Sequence, residues 1–286
     1  MCTRPYRAAG MVIVVGLVAA VTALGQSTTA PVSSAPATQP STQPALDPEV
    51  DKILTRLEQR EVRDLRARLA WRQRFVLDLE EDATTKTGEI WYQKTEQVAR
   101  FLIHFTENIA ASRKDKLDEQ HLFDGRWYVE LQSRTKTVIR REVRRPDDPG
   151  DPYKVGEGAF PLPFGQKKED ILREFDVRLV AATGDDPPET DHLRLTPHER
   201  TQTGQTYKEL DFWVSREGKT AGLPTKVQVA KKDGTGKVNS YITITFTDAQ
   251  LNQGFSGSVF EVKVPPGYEE TVERLEDVPA PPGAPS

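Results

Sequence analysis

The sequence is nearly devoid of cysteine, since Cys2 is the only one among 286 residues. A single cysteine cannot close a disulfide within the chain, and it offers no pair of thiolate ligands for a metal ion. Cys2 also lies in an N-terminal segment that we expect to be removed, so the mature protein would have no thiol nucleophile. The folded unit therefore has to be stabilised by its core, without covalent cross-links.

Charge is absent from residues 26–46, which consist almost entirely of Ser, Thr, Pro, Ala and Gln. Such a segment cannot bury enough apolar surface to offset the entropy of ordering it, so we expect a disordered linker. The proline-rich residues 279–286 lead to the same expectation for the tail. Between these two segments, residues 47–278 are predicted to form one domain of ordinary size.

Long apolar runs are missing, with one exception near the N-terminus. Two arginines precede an apolar run over residues 10–24, and the run ends in small residues. It is shorter than the ~20 residues that span a bilayer comfortably, so residues 1–25 are predicted to be a signal peptide that is cleaved on export. Gln26 follows the expected cleavage site where a lipid-anchored protein would have cysteine. The alternative is an N-terminal anchor that is retained.

Residues suited to catalysis or metal binding are sparse. The four histidines have no cysteine partners and no regular spacing with carboxylates, so the sequence predicts no metal site and no cofactor. No pairing of a nucleophile with a base is legible, and a formal net charge of −4 does not suggest binding to nucleic acid. We therefore expect a binding protein rather than an enzyme.

Proline is also absent between Pro48 and Pro146, where the hydrophobic periodicity is clearest. Asp47 and Pro48 predict the start of a helix. From Leu65 to Leu79 every second residue except Gln73 is apolar, which predicts a long strand with one solvated face. The predicted helix has one apolar stripe: Val50, Ile53, Leu54 and Leu57.

Many further short strands are expected along the chain, with a short helix at Lys167–Phe175 after an irregular segment at residues 145–166. Such strands at regular spacing are typical of an antiparallel sandwich or barrel. The predicted strands are Thr87–Lys94, Gln97–Glu107, Glu119–Phe123, Arg126–Gln132, Thr135–Val143, Asp176–Ala182, His192–Thr196, Glu209–Ser215, Thr225–Lys231, Ser240–Thr247 and Ser258–Val264.

Four short motifs then resemble one known family. They are Gly88–Lys94 (GEIWYQK), Phe123–Tyr128 (FDGRWY), Leu193–Pro197 (LRLTP) and Phe260–Tyr268 (FEVKVPPGY). In this order they resemble the LolA family, the periplasmic carriers of outer-membrane lipoproteins, over about residues 48–274. Each motif is weak alone, and the glycine of the last one is displaced by one position. Their order after an export signal makes the resemblance specific.

The resemblance implies a mainly β fold with a few helices: an incompletely closed antiparallel β-barrel with a helical lid over an apolar cavity. It also implies a monomeric periplasmic carrier. The cavity would take up lipoprotein acyl chains, or another lipid, from an inner-membrane ABC-type release transporter and pass them to an outer-membrane acceptor. A periplasmic sensor or envelope-assembly factor that binds lipid without ferrying lipoproteins is the alternative.

One departure from the family concerns the contact between barrel and lid. The family has Arg-Pro after its aromatic strand, where this chain has Lys94 and Thr95. The resemblance therefore implies that Lys94 lies at the barrel rim and contacts the lid, although lysine lacks the planar fork of arginine. An ordinary exposed lysine is the alternative.

The aromatic and aliphatic residues of the predicted strands and helices indicate where such a cavity would lie. A fully packed interior is the alternative to a cavity. The predicted cavity residues are Leu69, Trp71, Phe75, Leu77, Trp91, Phe101 and Phe105. The predicted lid residues are Ile53, Leu54, Leu57, Phe160, Leu162, Phe164, Ile171 and Leu172.

Overall fold

The computed structural model describes residues 46–77, 79, 82–95, 98–144 and 167–275. The predicted signal peptide, the tail and all of the predicted linker except Leu46 lie outside these residues. The described helices are α1 (Pro48–Gln59), α2 (Lys168–Glu174) and α3 (Gln202–Thr206). The strands are β1 (Asp64–Phe75), β2 (Thr84–Lys94), β3 (Ala99–Ala110), β4 (Arg113–Phe123), β5 (Trp127–Gln132), β6 (Thr137–Glu142), β7 (Phe175–Val180), β8 (Thr190–Pro197), β9 (Tyr207–Ser215), β10 (Pro224–Lys232), β11 (Val238–Leu251) and β12 (Glu269–Glu273).

All these strands belong to one sheet, in the order β12-β6-β5-β4-β3-β2-β1-β11-β10-β9-β8-β7. Every neighbouring pair is antiparallel except β12 and β6, which run parallel. The sheet is open, with β7 and β12 at its two edges, so it is an incomplete barrel. The predicted class, mainly β with a few helices and an incompletely closed antiparallel sheet, is confirmed. In the described part of the chain, no helix is long and apolar enough to cross a membrane.

Helix α1 begins where the sequence predicts it. The Asp47 carboxylate accepts a hydrogen bond from the backbone N–H of Glu49 at 2.9 Å, and Pro48 occupies the first turn, where no N–H is needed. The four residues of the predicted apolar stripe are all buried. The helix therefore packs one face against the sheet and exposes the other to solvent.

The side chains of the sheet alternate between two apolar clusters, one on each face, and both clusters are covered by other parts of the chain. The larger cluster lies on the face towards α1 and α2, which we call the concave face. The smaller cluster lies on the convex face, over β3 to β6. It is covered by residues 254–268, the C-terminal strap, in which the ring of Phe260 lies 4.3 Å from the guanidinium carbon of Arg100.

The C-terminal strap corrects one strand prediction. Ser258–Val264 was predicted as a strand, but Gly257–Phe260 is a 3-10 helix and the following residues join no ladder. Phe260 and Val262 are apolar because they pack on Leu102, Leu122 and other residues of the convex face. A segment that covers a sheet can thus show the same alternation of apolar and polar residues as a strand, and this is why a strand was predicted here. Two elements, α3 and β12, had no counterpart in the sequence prediction.

Candidate functional site

The concave face of β1 to β3 is an apolar floor. Residues 65, 67, 69 and 71 of β1 point to this face, as the period of two requires, and the paired positions of β2 and β3 complete it. The residues of this floor are Leu65, Ala67, Leu69, Trp71, Ile90, Tyr92, Phe101, Ile103 and Phe105. Their side chains are almost completely buried, so the floor is covered rather than exposed.

Helix α1 contributes to the apolar cluster that contains the floor. Its buried residues Ile53, Leu54 and Leu57 belong to the same apolar cluster as the floor, and so does Ile171 of α2, while Leu172 packs against the cluster's edge. In this arrangement helix side chains occupy the concave face. A ligand that uses the floor would therefore have to displace α1.

A small set of polar contacts fixes α1 to the sheet. Arg56 donates from Nη2 to Asp191 at the start of β8, and we call this pair the helix latch. One turn later, Arg60 Nη2 donates to the carbonyl oxygen of Lys219 at 2.6 Å. Lys168 of α2 forms an ion pair with Asp51 of α1.

Not every donor of the helix latch and of the neighbouring Arg60 has a hydrogen-bond acceptor. The Nε atoms of Arg56 and Arg60 are buried, and neither has a hydrogen-bond acceptor among the described residues. Asp191 is shared, because Arg216 Nη1 lies 3.6 Å from its other oxygen. Helix α1 is therefore held mainly by apolar packing, with fewer hydrogen bonds than its guanidinium groups could make.

Beyond the apolar floor, the concave face becomes polar. The Lys86 ammonium lies 2.6 and 2.7 Å from the two carboxylate oxygens of Glu119, and Nε2 of His121 lies 2.7 Å from Oε1 of the same group. Nδ1 of His121 is 2.7 Å from the hydroxyl of Tyr128. We call Lys86, Glu119, His121 and Tyr128 the polar network; it borders the floor at Phe105, whose ring lies 5.6 Å from the Lys86 ammonium.

The electrostatics of this network follow from its burial and pairing. Burial alone would raise the pKa of Glu119, but the hydrogen bond from His121 and the charge of Lys86 outweigh it and lower that pKa to about 2. Because an ionised carboxylate can only accept, Nε2 of His121 must carry the proton in that contact. Burial, together with the charges of Glu130 and Glu119, raises the pKa of Tyr128 well above its ordinary value.

The structure brings together four of the predicted cavity residues. Leu69, Trp71, Phe101 and Phe105 all lie on the concave face, in the cluster that α1 covers. The same cluster contains Ile53, Leu54, Leu57 and Ile171, four of the predicted lid residues. The lid residues Phe160, Leu162 and Phe164 lie outside the described part of the chain.

Three predicted cavity residues lie elsewhere, which corrects their assignment. Trp91 pairs with Arg66 across β1 and β2, so it points to the convex face, where the Arg66 guanidinium lies 5.5 Å from its ring. Phe75 ends β1 and is 41% exposed, and Leu77 follows it in the turn and is 98% exposed. β1 is thus shorter than its apolar alternation predicted.

Lys94 lies at the end of β2 with an exposed side chain. Its backbone N–H donates to the carbonyl oxygen of Arg63, in the connection between α1 and β1, at 2.7 Å. Its role as a latch stays a prediction. The sequence did not predict the Arg56 latch or the contact of Lys86 with Glu119, because each joins residues more than 30 positions apart.

A second buried polar cluster lies on the convex face, between β8 and β9. His192 stacks on Trp213 with ring centroids 4.3 Å apart, and its Nε2 lies 2.9 Å from Asp211, which also accepts from Arg194. The indole N–H of Trp213 donates to Asp186 at 2.6 Å. These groups anchor the β7–β8 loop to the sheet.

No protein-family model matches the chain, and no curated protein matches it. Solved structures do. An uncharacterised conserved protein from Thermus thermophilus is 9% identical, with a TM-score of 0.45 over 79% of this chain and 99% of that one. A DUF1329 family protein from Desulfovibrio piger is 14% identical, with a TM-score of 0.38 over 73% and 95% of the two chains.

A LolA superfamily protein from Nitrosomonas europaea is also similar, at 14% identity, with a TM-score of 0.37 over 74% of this chain and 97% of that one. The four sequence motifs described above resemble the LolA family as well. These likenesses do not assign a ligand to the chain.

Proposed function

We propose that the concave face binds the acyl chains of a lipid beneath α1 and α2. The observation that carries the proposal is the attachment of α1, whose apolar residues cover an apolar floor while the helix is tied down by an incompletely satisfied latch. Besides the apolar packing, displacing this cover would break the Arg56–Asp191 pair and the Arg60 hydrogen bond to Lys219, and another apolar group could replace the packing.

The energies of the exchange support reversible binding. Four buried aliphatic side chains of α1 contribute roughly 1.5–3 kcal/mol each. An acyl chain of about 14 carbons offers at most about 11 kcal/mol, at ~0.8 kcal/mol for each methylene. The free energy gained by burying the four side chains of α1 is therefore similar to the free energy gained by burying one acyl chain. A lipid can replace the helix on the floor and later be released.

In the fuller form of this proposal, the protein is a periplasmic carrier that receives lipoprotein acyl chains from an inner-membrane transporter and passes them to an outer-membrane acceptor. The role is non-catalytic. A sensor that retains its lipid is the second candidate, and it would bind a membrane regulator instead of delivering cargo.

The direct test uses the mature protein and the neutral apolar dye N-phenyl-1-naphthylamine. We expect saturable dye fluorescence that an added 14-carbon monoacylglycerol displaces, and mass spectrometry should find acylated molecules that copurify with the protein. Absence of both dye binding and copurifying lipid would rule out the acyl-chain site.

The helix latch gives a sharper prediction. Arg56→Met keeps the aliphatic stem and removes the guanidinium, so it should favour the open helix by about 1 kcal/mol, since the ion pair is partly exposed. We expect dye uptake in stopped flow to become about fivefold faster, and the free energy of unfolding to fall by no more than the same ~1 kcal/mol.

The control for this variant is Arg113→Met, at an exposed arginine of β4. It should leave the rate of dye uptake unchanged. Equal rates for the Arg56→Met variant and the native protein would show that the helix latch does not limit opening.

Export is proposed on the pattern of residues 1–25. We expect N-terminal sequencing of the protein from the producing cell to begin close to Gln26. A mature chain that still carries residues 11–24 would indicate a membrane anchor, and the carrier would then act while tethered.

A further inference from the structure

We infer that the ligand of the concave face is an amphiphile whose polar head carries oxygen acceptors, and that Lys86 receives this head. The inference rests on the proposed acyl-chain site and specifies which lipids it would take. It comes from the boundary between the apolar floor and the polar network.

The polar network forms a boundary that an acyl chain cannot cross. Lys86, Glu119 and His121 all point to the concave face, because they pair in register with Trp71, Phe105 and Ile103 of the floor. The carboxylate of Glu119 stays ionised above a pH of about 2. Methylene groups laid against these groups would remove water from their remaining donors and acceptors and offer no hydrogen bond in exchange, which is unfavourable.

The polar surface continues from the network to the edge of the sheet. Arg141 of β6 lies 3.7 Å from the carboxylate of Glu130, and its Nε donates to Glu273 of β12 at 2.7 Å. Glu130 also accepts from Gln132. Apart from Phe123 and Tyr128, which belong to the apolar cluster, the concave face of β4 to β6 carries paired charges. These charges would favour an acyl chain on the floor of β1 to β3 and the strands beyond β1.

Lys86 is the member of the network that can bind something new. An ammonium group has three N–H donors, and Glu119 takes two of them. In the described part of the chain no other acceptor lies within hydrogen-bond distance of Lys86. Its side chain is 20% exposed, whereas that of His121 is fully buried. The third donor is thus available to an oxygen at the end of the floor.

The chemistry of such a head follows from this donor. An ester carbonyl, a hydroxyl or a phosphate oxygen can accept from Lys86, whereas a purely apolar ligand leaves the donor unmet. An acylglycerol fits, with its chain on the floor and its ester oxygens at Lys86. The phosphate of a lysophospholipid offers the same acceptor chemistry with added charge.

The experiment compares three ligands and three proteins. The ligands are N-phenyl-1-naphthylamine, 1-myristoylglycerol and 1-myristoyl-lysophosphatidylglycerol. The proteins are the native chain, the variant Lys86→Met with Glu119→Gln, and Lys116→Met. The double variant removes both charges of the pair, so that no buried carboxylate is left alone. Lys116 is an exposed lysine of β4, and its variant is the matched control.

We expect the double variant to bind the dye within twofold of the native affinity. It should bind the two lipids about tenfold more weakly, because each lipid loses one hydrogen bond to a charged donor. A larger loss for the lysophospholipid would identify phosphate as the acceptor, and equal losses would identify the ester. Lys116→Met should match the native protein for all three ligands.

Two results would overturn the inference, and they differ in what they say about the site. Lipid affinities that remain native in the double variant would show that Lys86 does not receive the head, while the acyl-chain site itself would stand. A native protein that binds neither dye nor lipid would contradict both the head contact of Lys86 and the proposed acyl-chain site. Circular dichroism verifies the fold of the double variant. The single variant Glu119→Gln, which loses the carboxylate but keeps Lys86, should retain the native lipid affinity and so separates loss of the head contact from a folding defect.

Discussion

Replacing Glu119 by glutamine is expected to destabilise the protein by roughly 3 kcal/mol at pH 7. Glutamine resembles the protonated carboxyl, so the loss equals the difference between the ordinary pKa of 4.5 and the pKa of about 2 in the folded state. One pKa unit corresponds to about 1.36 kcal/mol. Urea denaturation, with midpoint and slope fitted together, measures the change.

The same residue should give the native protein a defined acid sensitivity. A carboxyl whose folded pKa is lowered stabilises the protein fully above its unfolded pKa of about 4.5, and this contribution disappears as the pH falls towards about 2. The difference between native protein and Glu119→Gln should therefore shrink to less than half by pH 3. A difference that is independent of pH would show that Glu119 is not ionised in the network.

Glu107→Gln is the control for both measurements. Glu107 lies on β3 with an exposed side chain, and its nearest lysine, Lys114, is 4.0 Å away. An exposed pair of this kind contributes ~0–1 kcal/mol. The control variant should differ from the native protein by less than about 0.5 kcal/mol at either pH.

Local patterns were sufficient to predict the class of fold. The alternation of β1 placed Leu65, Leu69 and Trp71 on the buried face, and the Asp47–Pro48 cap placed the start of α1. Both patterns act within a few residues, and an apolar stripe needs a partner surface whatever the rest of the chain does. The helix was therefore predictable as the cover of a sheet.

The end of β1 was not predictable from the same alternation. Phe75, Leu77 and Leu79 continue the apolar pattern, but the chain turns after Phe75 without a glycine or proline to mark the turn. Trp91 was assigned to the cavity because it is aromatic. Strand parity places it on the convex face, since Ile90 and Tyr92 are the concave residues of that strand.

The polar part of the site could not be read from sequence at all. Lys86 of β2 and Glu119 and His121 of β4 each look like solvated residues, and only the register of β2 to β4 brings the lysine beside the other two. The latch is equally remote, since it joins α1 to β8. Pairings at this separation depend on topology, which hydrophobic periodicity does not encode.

Gly88→Ala is expected to destabilise the protein by at least about 3 kcal/mol, or to prevent folding. A methyl group at this position would lie 1.9 Å from the carbonyl oxygen of His104 and 2.8 Å from Cα of Phe105. Both atoms belong to the backbone of β3, so no flexible side chain can move aside. The strain would exceed the 1–3 kcal/mol that is usual for an overpacked core.

The physical reason lies in a bulge that closes the floor. The pairing of β2 with β3 shifts between Thr87 and Gly88, and the two backbones approach closely there. Gly88 opposes Leu69 on one side and Phe105 on the other, both residues of the floor. A larger residue would separate β2 from β3 directly beside Lys86, so lipid binding should fall together with stability.

Gly234→Ala provides the comparison, because a methyl group there would meet nothing within 4 Å. Gly234 lies in the turn between β10 and β11, and its variant should stay within about 0.5 kcal/mol of the native protein or be slightly more stable, since alanine restricts the unfolded chain. Thermal unfolding of the two variants checks the pair. A Gly88→Ala protein as stable as Gly234→Ala would mean that β2 and β3 are farther apart than this bulge places them, and that the floor is less tightly closed beside Lys86.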